Sequence, residues 1–180
     1  MIQAHDHAVI RTARLEMRPH RLDDYSESAA MWALEQVALY IGGKPSTPAE
    51  SWARLHRYAG HWTLLGFGYW VVREQATGAF VGEVGFGEFR RGLGERFDGA
   101  PEAGWALAPQ ARGKGYAREA LGAALAWCDA RPSMIRTVCM IDPRNAASIE
   151  LAALCGYKEY ARTTYREAPS ILFERRRPAA

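Results

Sequence analysis

The spacing of hydrophobic and polar positions changes period several times along the chain, and each change predicts an element. Alternation over Ala13 to Pro19, with Leu15 and Met17 on one face, predicts an opening strand. The run DDYSESAAMWALEQVALYI then sets Ala29, Trp32, Ala33 and Gln36 at helical intervals, and Gly42, Gly43 and Pro45 end it. Thr47, Pro48 and Glu50 make a capping-box start for a second helix whose buried face is expected to carry Trp52, Leu55 and Ala59. At Tyr69 the period becomes that of strands. YWVVRE and FVGEVGFGEF, joined at Thr77 and Gly78, read as an antiparallel hairpin, and a glycine- and charge-rich loop follows from Arg90 to Gly99.

A further strand, Ala103 to Ala108, runs into the segment QARGKGYA, Gln110 to Ala117, and then into a helix marked by Leu121, Ala124, Leu125 and Cys128. Pro132 closes that helix. Ile135 to Ile141 is a β-branched apolar run suited to a buried strand. Asn145 is placed to cap a short helix ending near Leu154, with Gly156 as its stop and a strand opening at Tyr157. Ser170 to Arg176 reads as the last strand, and Arg175, Arg176 and Arg177 as a solvated basic tail. With 180 residues, 48% of them hydrophobic, the chain can bury one substantial core. The expected organisation is a flexible N-terminus over residues 1–12 and a single domain over 13–177.

Charge and composition narrow the function classes. Twenty-three Lys and Arg face 20 Asp and Glu, scattered along the chain, which is too mild a balance for a nucleic-acid binder. No run approaches the roughly 20 apolar residues of a membrane span, and the start MIQAHDHAVIRTARL lacks a signal-peptide core, so a cytoplasmic protein is expected. Cys128, Cys139 and Cys155 are odd in number without CxxC spacing, which argues for reduced structural thiols. His5 and His7 imitate a metal pair without a third ligand nearby, and no metal is expected. Trp32, Trp52, Trp105 and Trp127 fall on expected core faces.

The chemistry concentrates in QARGKGYA. Glycines before a helix permit close approach of a ligand to the backbone, and the helix start presents unpaired amides and a positive dipole to an anion. Such a loop is a phosphate cradle or only a tight turn, and the neighbouring residues decide. The segment resembles the QxxGxGxA signature of the GCN5-related N-acetyltransferases. It is followed by a buried strand, by NxxS at Asn145 and Ser148, and by GY at Gly156 and Tyr157, in that family's order. The stretch TARLEMRPHRLDDY resembles the opening of the branch that acetylates ribosomal-protein N-termini, so the likeness spans nearly the whole chain.

The resemblance implies an α/β fold of six to seven strands, a mixed and mostly antiparallel twisted sheet flanked by helices. It implies acetyl-CoA as co-substrate, with the pyrophosphate held by the backbone of Arg112, Gly113, Gly115, Tyr116 and Ala117. It also implies a strand that splays from its neighbour at a bulge and frees backbone groups of Trp105, Ala106 and Leu107 for the pantetheine arm. Arg112 and Lys114 either add charge near the phosphates or form a solvated basic loop. Asn145 matches a cofactor contact and can also be the helix cap. Many relatives carry a tyrosine where this chain has Ala152, to protonate the departing thiolate. Ser148 is then the candidate donor, or a helix-start serine bonded to its own backbone.

On the acceptor side, Glu83 is the preferred base and Glu102 the second, the alternative for each being a structural ion pair. Some among Trp62, Phe67, Tyr69 and Trp70 are expected to line the acceptor pocket. The expected activity is acetyl transfer to a primary amine, an N-terminal α-amine or a small molecule, by direct attack in a ternary complex. The rivals are a non-catalytic CoA-binding module and an acyltransferase using another acyl-CoA. A monomer or homodimer is expected, with no nucleic-acid or membrane partner.

Overall fold

In the computed structural model, which describes residues 8–178, the strands are β1 (Ile10–Arg11), β2 (Leu15–Pro19), β3 (Tyr69–Glu74), β4 (Phe80–Gly87), β5 (Glu102–Leu107), β6 (Arg136–Ile141), β7 (Lys158–Tyr165) and β8 (Ala168–Arg176). The helices are α1 (Tyr25–Trp32), α2 (Glu35–Ala38), α3 (Pro48–Leu65), α4 (Tyr116–Asp129) and α5 (Ala146–Leu154). All eight strands join one sheet in the order β1-β2-β3-β4-β5-β6-β8-β7. Every neighbouring pair is antiparallel except β5 and β6. The sheet is thus mixed and mostly antiparallel, with one strand more than the expected range.

The additional strand is β1. Ile10 pairs with Met17, Ala8 is wholly buried, and the Ala8 carbonyl accepts a hydrogen bond from Trp70 Nε1 at 2.5 Å. From Ala8 onward the segment expected to be loosely held is therefore packed on the sheet edge. His5 and His7, with the rest of residues 1–7, lie outside the described residues.

The helix expected after Leu22 is two helices. Leu34 is extended, at φ −86° and ψ 125°, and separates α1 from α2. The reason is burial. Met31, Trp32 and Val37 share one cluster with Val71, Phe80, Ala106 and Ala108. Six residues of continuous helix would turn Val37 by roughly 240° from Met31 and aim it away from the sheet. The buried face keeps Trp32 as expected but otherwise differs: Ser28 and Met31 point inward beside it, whereas Ala33 and Gln36 are exposed.

The capping box of α3 forms as expected, with Glu50 N donating to Thr47 Oγ1 and Thr47 N to Glu50 Oε2. Its inward face holds Ser51, Leu55, Tyr58 and Trp62. Trp52 stands 43% exposed against Tyr25 and His56, and Ala59 is also exposed, so both expectations are corrected. The basic tail is corrected too: Arg175 makes a bidentate ion pair with Asp129 at 2.8 and 2.6 Å and tethers β8 to the end of α4.

Directly paired residues share a sheet face. Trp70, Val84 and Trp105 lie on one face, packed against Leu121 and Ala124 of α4. Val71, Glu83 and Ala106 lie on the other, under α1 and α2. Beyond Glu102, which pairs with Val138, β5 and β6 share no further register and diverge. That opening is where the site is built.

Candidate active site

The hydrogen bonds at the ends of β5 fix which of its peptide groups are free. Val138 N donates to Pro101 O, and Ala108 N donates to Val81 O. Alternation then turns the peptide groups of Trp105 and Leu107 toward the gap and those of Ala106 toward β4, where Ala106 pairs with Glu83. The peptide groups of Trp105 and the amide of Leu107 therefore carry the open edge, the Leu107 carbonyl accepting from Arg112 Nε, and Ala106 contributes its position instead of its hydrogen bonds. The register irregularity lies in the neighbouring β4, where Val81 is left without a partner between the Val72–Gly82 and Arg73–Phe80 pairs. There Gly82, at φ +152°, lets β5 approach so closely that an added Cβ would meet the Ala106 carbonyl oxygen.

Past Leu107 the chain makes a 3₁₀ turn, Pro109–Ala111, and enters the glycine loop. Gly113 and Gly115 are both left-handed, at φ +73° and +78°, which explains glycine at each. Nothing lies within 4 Å of where a Gly113 Cβ would stand, so this glycine borders open space. Gly115 is the N-cap of α4. The first helical bond, Glu119 N to Gly115 O, leaves the amides of Tyr116, Ala117 and Arg118 without intrahelical acceptors. A row of amides at a positive helix end, beside the free edge of β5, suits a phosphate joined to an extended amide-bearing arm.

Side chains brace this loop. Arg14 donates to Lys114 O at 2.9 Å and to Glu119 Oε2 at 2.7 Å, while its guanidinium lies 4.6 Å from the Tyr116 ring centroid. The Tyr116 hydroxyl donates to Glu74 Oε1. Arg112 turns back to Leu107 O and Gln36 O, at 3.4 and 3.2 Å, and Lys114 is exposed. The sequence reading missed Arg14. Its partner Glu119 lies 105 residues away, and the only local hint was an acid in the first turn of a helix.

Across the gap, Asn145 Oδ1 accepts from Ser148 N at 3.1 Å and caps α5. Ser148 Oγ accepts from Trp105 Nε1 at 3.1 Å. This hydroxyl is therefore oriented by the indole on the free strand, not by its own helix, and its proton remains available. Ala152 is wholly buried in the main core, which leaves Ser148 as the hydroxyl facing the gap from this helix.

Glu83 is at 0% exposure on the opposite face. It accepts from Ser28 Oγ at 2.5 Å, Trp32 Nε1 at 2.8 Å and His20 Nε2 at 3.1 Å. Burial alone would raise its pKa, but the His20 hydrogen bond and charge, with the Ser28 and Trp32 donors, hold it below the usual range. His20 Nδ1 lies 3.3 Å from Tyr69 O, so both ring nitrogens face oxygen atoms of the sheet. Such a carboxylate orders α1 and β2 over the sheet and is badly placed to collect a proton from an acceptor. Glu102 is held bidentately by Arg91 at 2.6 and 2.8 Å. Neither expected base is free.

The aromatic residues proposed for an acceptor pocket separate. Trp62 and Trp70 are packed with Trp127 in the main core, and Phe67 lies against its edge. Tyr69 is on the Glu83 face, its ring stacked on Tyr58 at 4.4 Å. Among the described residues no group of three His, Cys, Asp or Glu could hold a metal ion, and no helix is long and apolar enough to cross a membrane.

Comparison with known proteins agrees with this geometry. The family model of the acetyltransferase (GNAT) domain matches residues 14–158. A solved GnaT-family acetyltransferase from Bordetella pertussis is 33% identical, with 93% of this chain and 98% of that one covered and a TM-score of 0.83. A ribosomal-protein-serine acetyltransferase from Vibrio cholerae is 23% identical, covering 93% and 97%, at TM-score 0.71. Spermidine N-acetyltransferase from Vibrio cholerae, solved with CoA and spermine, is 16% identical, covering 92% and 97%, at TM-score 0.73. At these last two identities the likeness is one of fold.

Proposed function

The chain belongs to the acetyltransferase (GNAT) family, and on that premise we propose that it transfers an acetyl group from acetyl-CoA to a primary amine by direct attack. The observation that carries this reading is the free edge of β5 at Trp105 and Leu107. It runs directly into two left-handed glycines and the unpaired amides of α4. Bound CoA in the spermidine enzyme of the same fold supports the choice of cofactor.

The residues divide the work. Gly113, Gly115, Tyr116 and Ala117, with the backbone of Arg112, would hold the pyrophosphate, and the peptide groups of Trp105 and the amide of Leu107 the pantetheine arm. Lys114 adds a solvated positive charge, and Asn145 keeps α5 in place through its cap on Ser148 N. When bound, acetyl-CoA supplies the activated acetyl thioester. The amine nitrogen bonds to the acetyl carbonyl carbon as the carbon–sulfur bond breaks. The nitrogen's surplus proton leaves to water, and Ser148 Oγ, held by Trp105 Nε1, donates a proton to the departing sulfur and is reprotonated from solvent.

A CoA thiol resembles a cysteine of pKa about 8.5, so its thiolate is a tolerable leaving group near neutral pH and one hydroxyl donor suffices. The activity belongs to one domain, the expected 13–177 extended at its start by the packed residues from Ala8 and β1, acting in the cytoplasm as a monomer or homodimer. The three free cysteines support that setting. A thiol-release assay across acetyl-, succinyl- and longer acyl-CoA donors, with peptide N-termini, amino acids and polyamines, tests the reading. Turnover with acetyl-CoA and an amine is expected. Binding of CoA without thiol release from any pair would make it a regulatory module, and turnover with another donor alone would change the acyl group.

A further inference from the structure

The cofactor elements, α4 and α5 with Trp105 and Ser148, occupy one face of the sheet at the β5/β6 gap, which leaves the opposite face for the second substrate. On that face the residues bordering the free edge are Gly104 and Ala106. Ala106 is covered by Met31, Trp32 and Val37. Gly104 has no side chain, and the space a Cβ would need is taken by the Tyr69 hydroxyl. Tyr69 is 9% exposed, its ring stacked on Tyr58 and its carbonyl accepting from Trp62 Nε1 at 2.9 Å. Its hydroxyl makes no hydrogen bond to any described residue. The ring is buried while the hydroxyl stays unpaired beside the free edge, where a ligand can bond it.

The charges on this face select what that partner can be. Glu83 is saturated by His20, Ser28 and Trp32, and Glu102 is neutralised by Arg91, so neither can hold an ammonium group. Arg54 of α3 stacks on Trp32 at 3.8 Å and bonds only Ser46 Oγ. Arg57, one turn on, stands 5.5 Å from the ring of Phe89, which is itself 6.4 Å from the Tyr69 ring. Neither arginine has a carboxylate within ion-pair distance among the described residues. The approach to Tyr69 is therefore positive at its rim and neutral at its floor.

Resting on the acetyltransferase reading, we propose that the acceptor amine binds against the Tyr69 hydroxyl on this face, and that the site takes an α-amine on a neutral or acidic carrier in preference to a polyamine. The hydroxyl accepts a hydrogen bond from a neutral N–H and leaves the nitrogen lone pair toward the gap. With ordinary pKa values, about one α-amine in six is neutral at pH 7, against about one lysine-type amine in two thousand. A site without a free carboxylate favours the former, and two unpaired guanidinium groups oppose a polycation.

The test measures kcat/KM for an acidic peptide with a free N-terminus and for spermidine, with acetyl-CoA affinity measured separately by calorimetry. The peptide is expected to exceed spermidine at least tenfold, and the double variant Arg54→Gln/Arg57→Gln to narrow that ratio. Tyr69→Phe keeps the stacked ring and removes only the unpaired hydroxyl. It is expected to lower kcat/KM for the peptide about tenfold or more, with unchanged melting temperature and acetyl-CoA affinity. Intact acetyl-CoA binding with spermidine preferred, with no peptide turnover, or with a Tyr69→Phe enzyme as active as wild type, overturns the proposal and leaves the acetyltransferase reading standing. Loss of acetyl-CoA binding in the wild-type protein overturns both.

Discussion

Asp24 anchors the helix that covers the acceptor face, and its replacement gives a worked test of the packing. The carboxylate, 2% exposed, accepts from Arg18 Nη1 at 2.7 Å and Nη2 at 2.8 Å, from Arg73 Nη2 at 3.0 Å and from Arg21 N at 2.7 Å. It joins β2 and β3 to the turn that opens α1. Burial acts to raise its pKa, but these donors outweigh burial and lower it from 3.8 to about 2. The folded value lies below the unfolded one, so the stabilisation is complete above pH about 4 and fades as pH falls through 2.

A difference of 1.8 units corresponds to about 2.4 kcal/mol at neutral pH, and about 1.3 kcal/mol of it remains at pH 3. Asp24→Asn should therefore destabilise by about 2 to 3 kcal/mol at pH 7, or roughly 5–10 °C in melting temperature for a chain of this size. Urea denaturation of both proteins from pH 7 to pH 2.5 is the assay. The gap between them should shrink by about half at pH 3. A gap that stays constant with pH would show that the loss comes from altered packing and not from the ionised carboxylate, and would refute the reasoning.

Two further substitutions separate chemistry from architecture. Ser148→Ala should lower kcat on the order of a hundredfold with unchanged acetyl-CoA affinity, because the Asn145 cap on α5 survives; wild-type turnover would remove Ser148 from the reaction. Glu83→Gln should destabilise by about 3 kcal/mol, since it breaks a buried pair with His20; a stable variant that loses turnover would restore Glu83 as a base.

Much of the fold was legible because its signals are local. The alternation of β2, the β3–β4 hairpin, the apolar stripe of α4 and the cap at Asn145 each sit within a few residues of their cause. The glycine loop was legible for the same reason. What the sequence concealed depends on distant contacts. Glu83 reads as an ordinary strand acid, and only the fold brings it Trp32, Ser28 and His20 from 51, 55 and 63 residues away. The break at Leu34 follows from the need to bury both Met31 and Val37, which helical periodicity along one segment cannot express. Trp52 was misplaced by one step around α3, where Ser51 takes the inward position. Tyr69 looked like one of four pocket aromatics until sheet register separated its face from that of Trp70.

Titration calorimetry of acetyl-CoA against the wild-type protein and Gly113→Glu tests the central claim most directly. Gly113 borders open space at φ +73°, so the variant should stay folded at a strain of about 1 kcal/mol. A carboxylate about 4 Å from the bound phosphates would oppose binding by about 4 kcal/mol, near a thousandfold. Gly113→Asn, which tolerates the left-handed backbone without adding charge, should retain most of the affinity. Saturable binding by wild type that collapses in a folded Gly113→Glu protein is the predicted result. Equal affinity in the two, or no binding by wild type, would contradict the account.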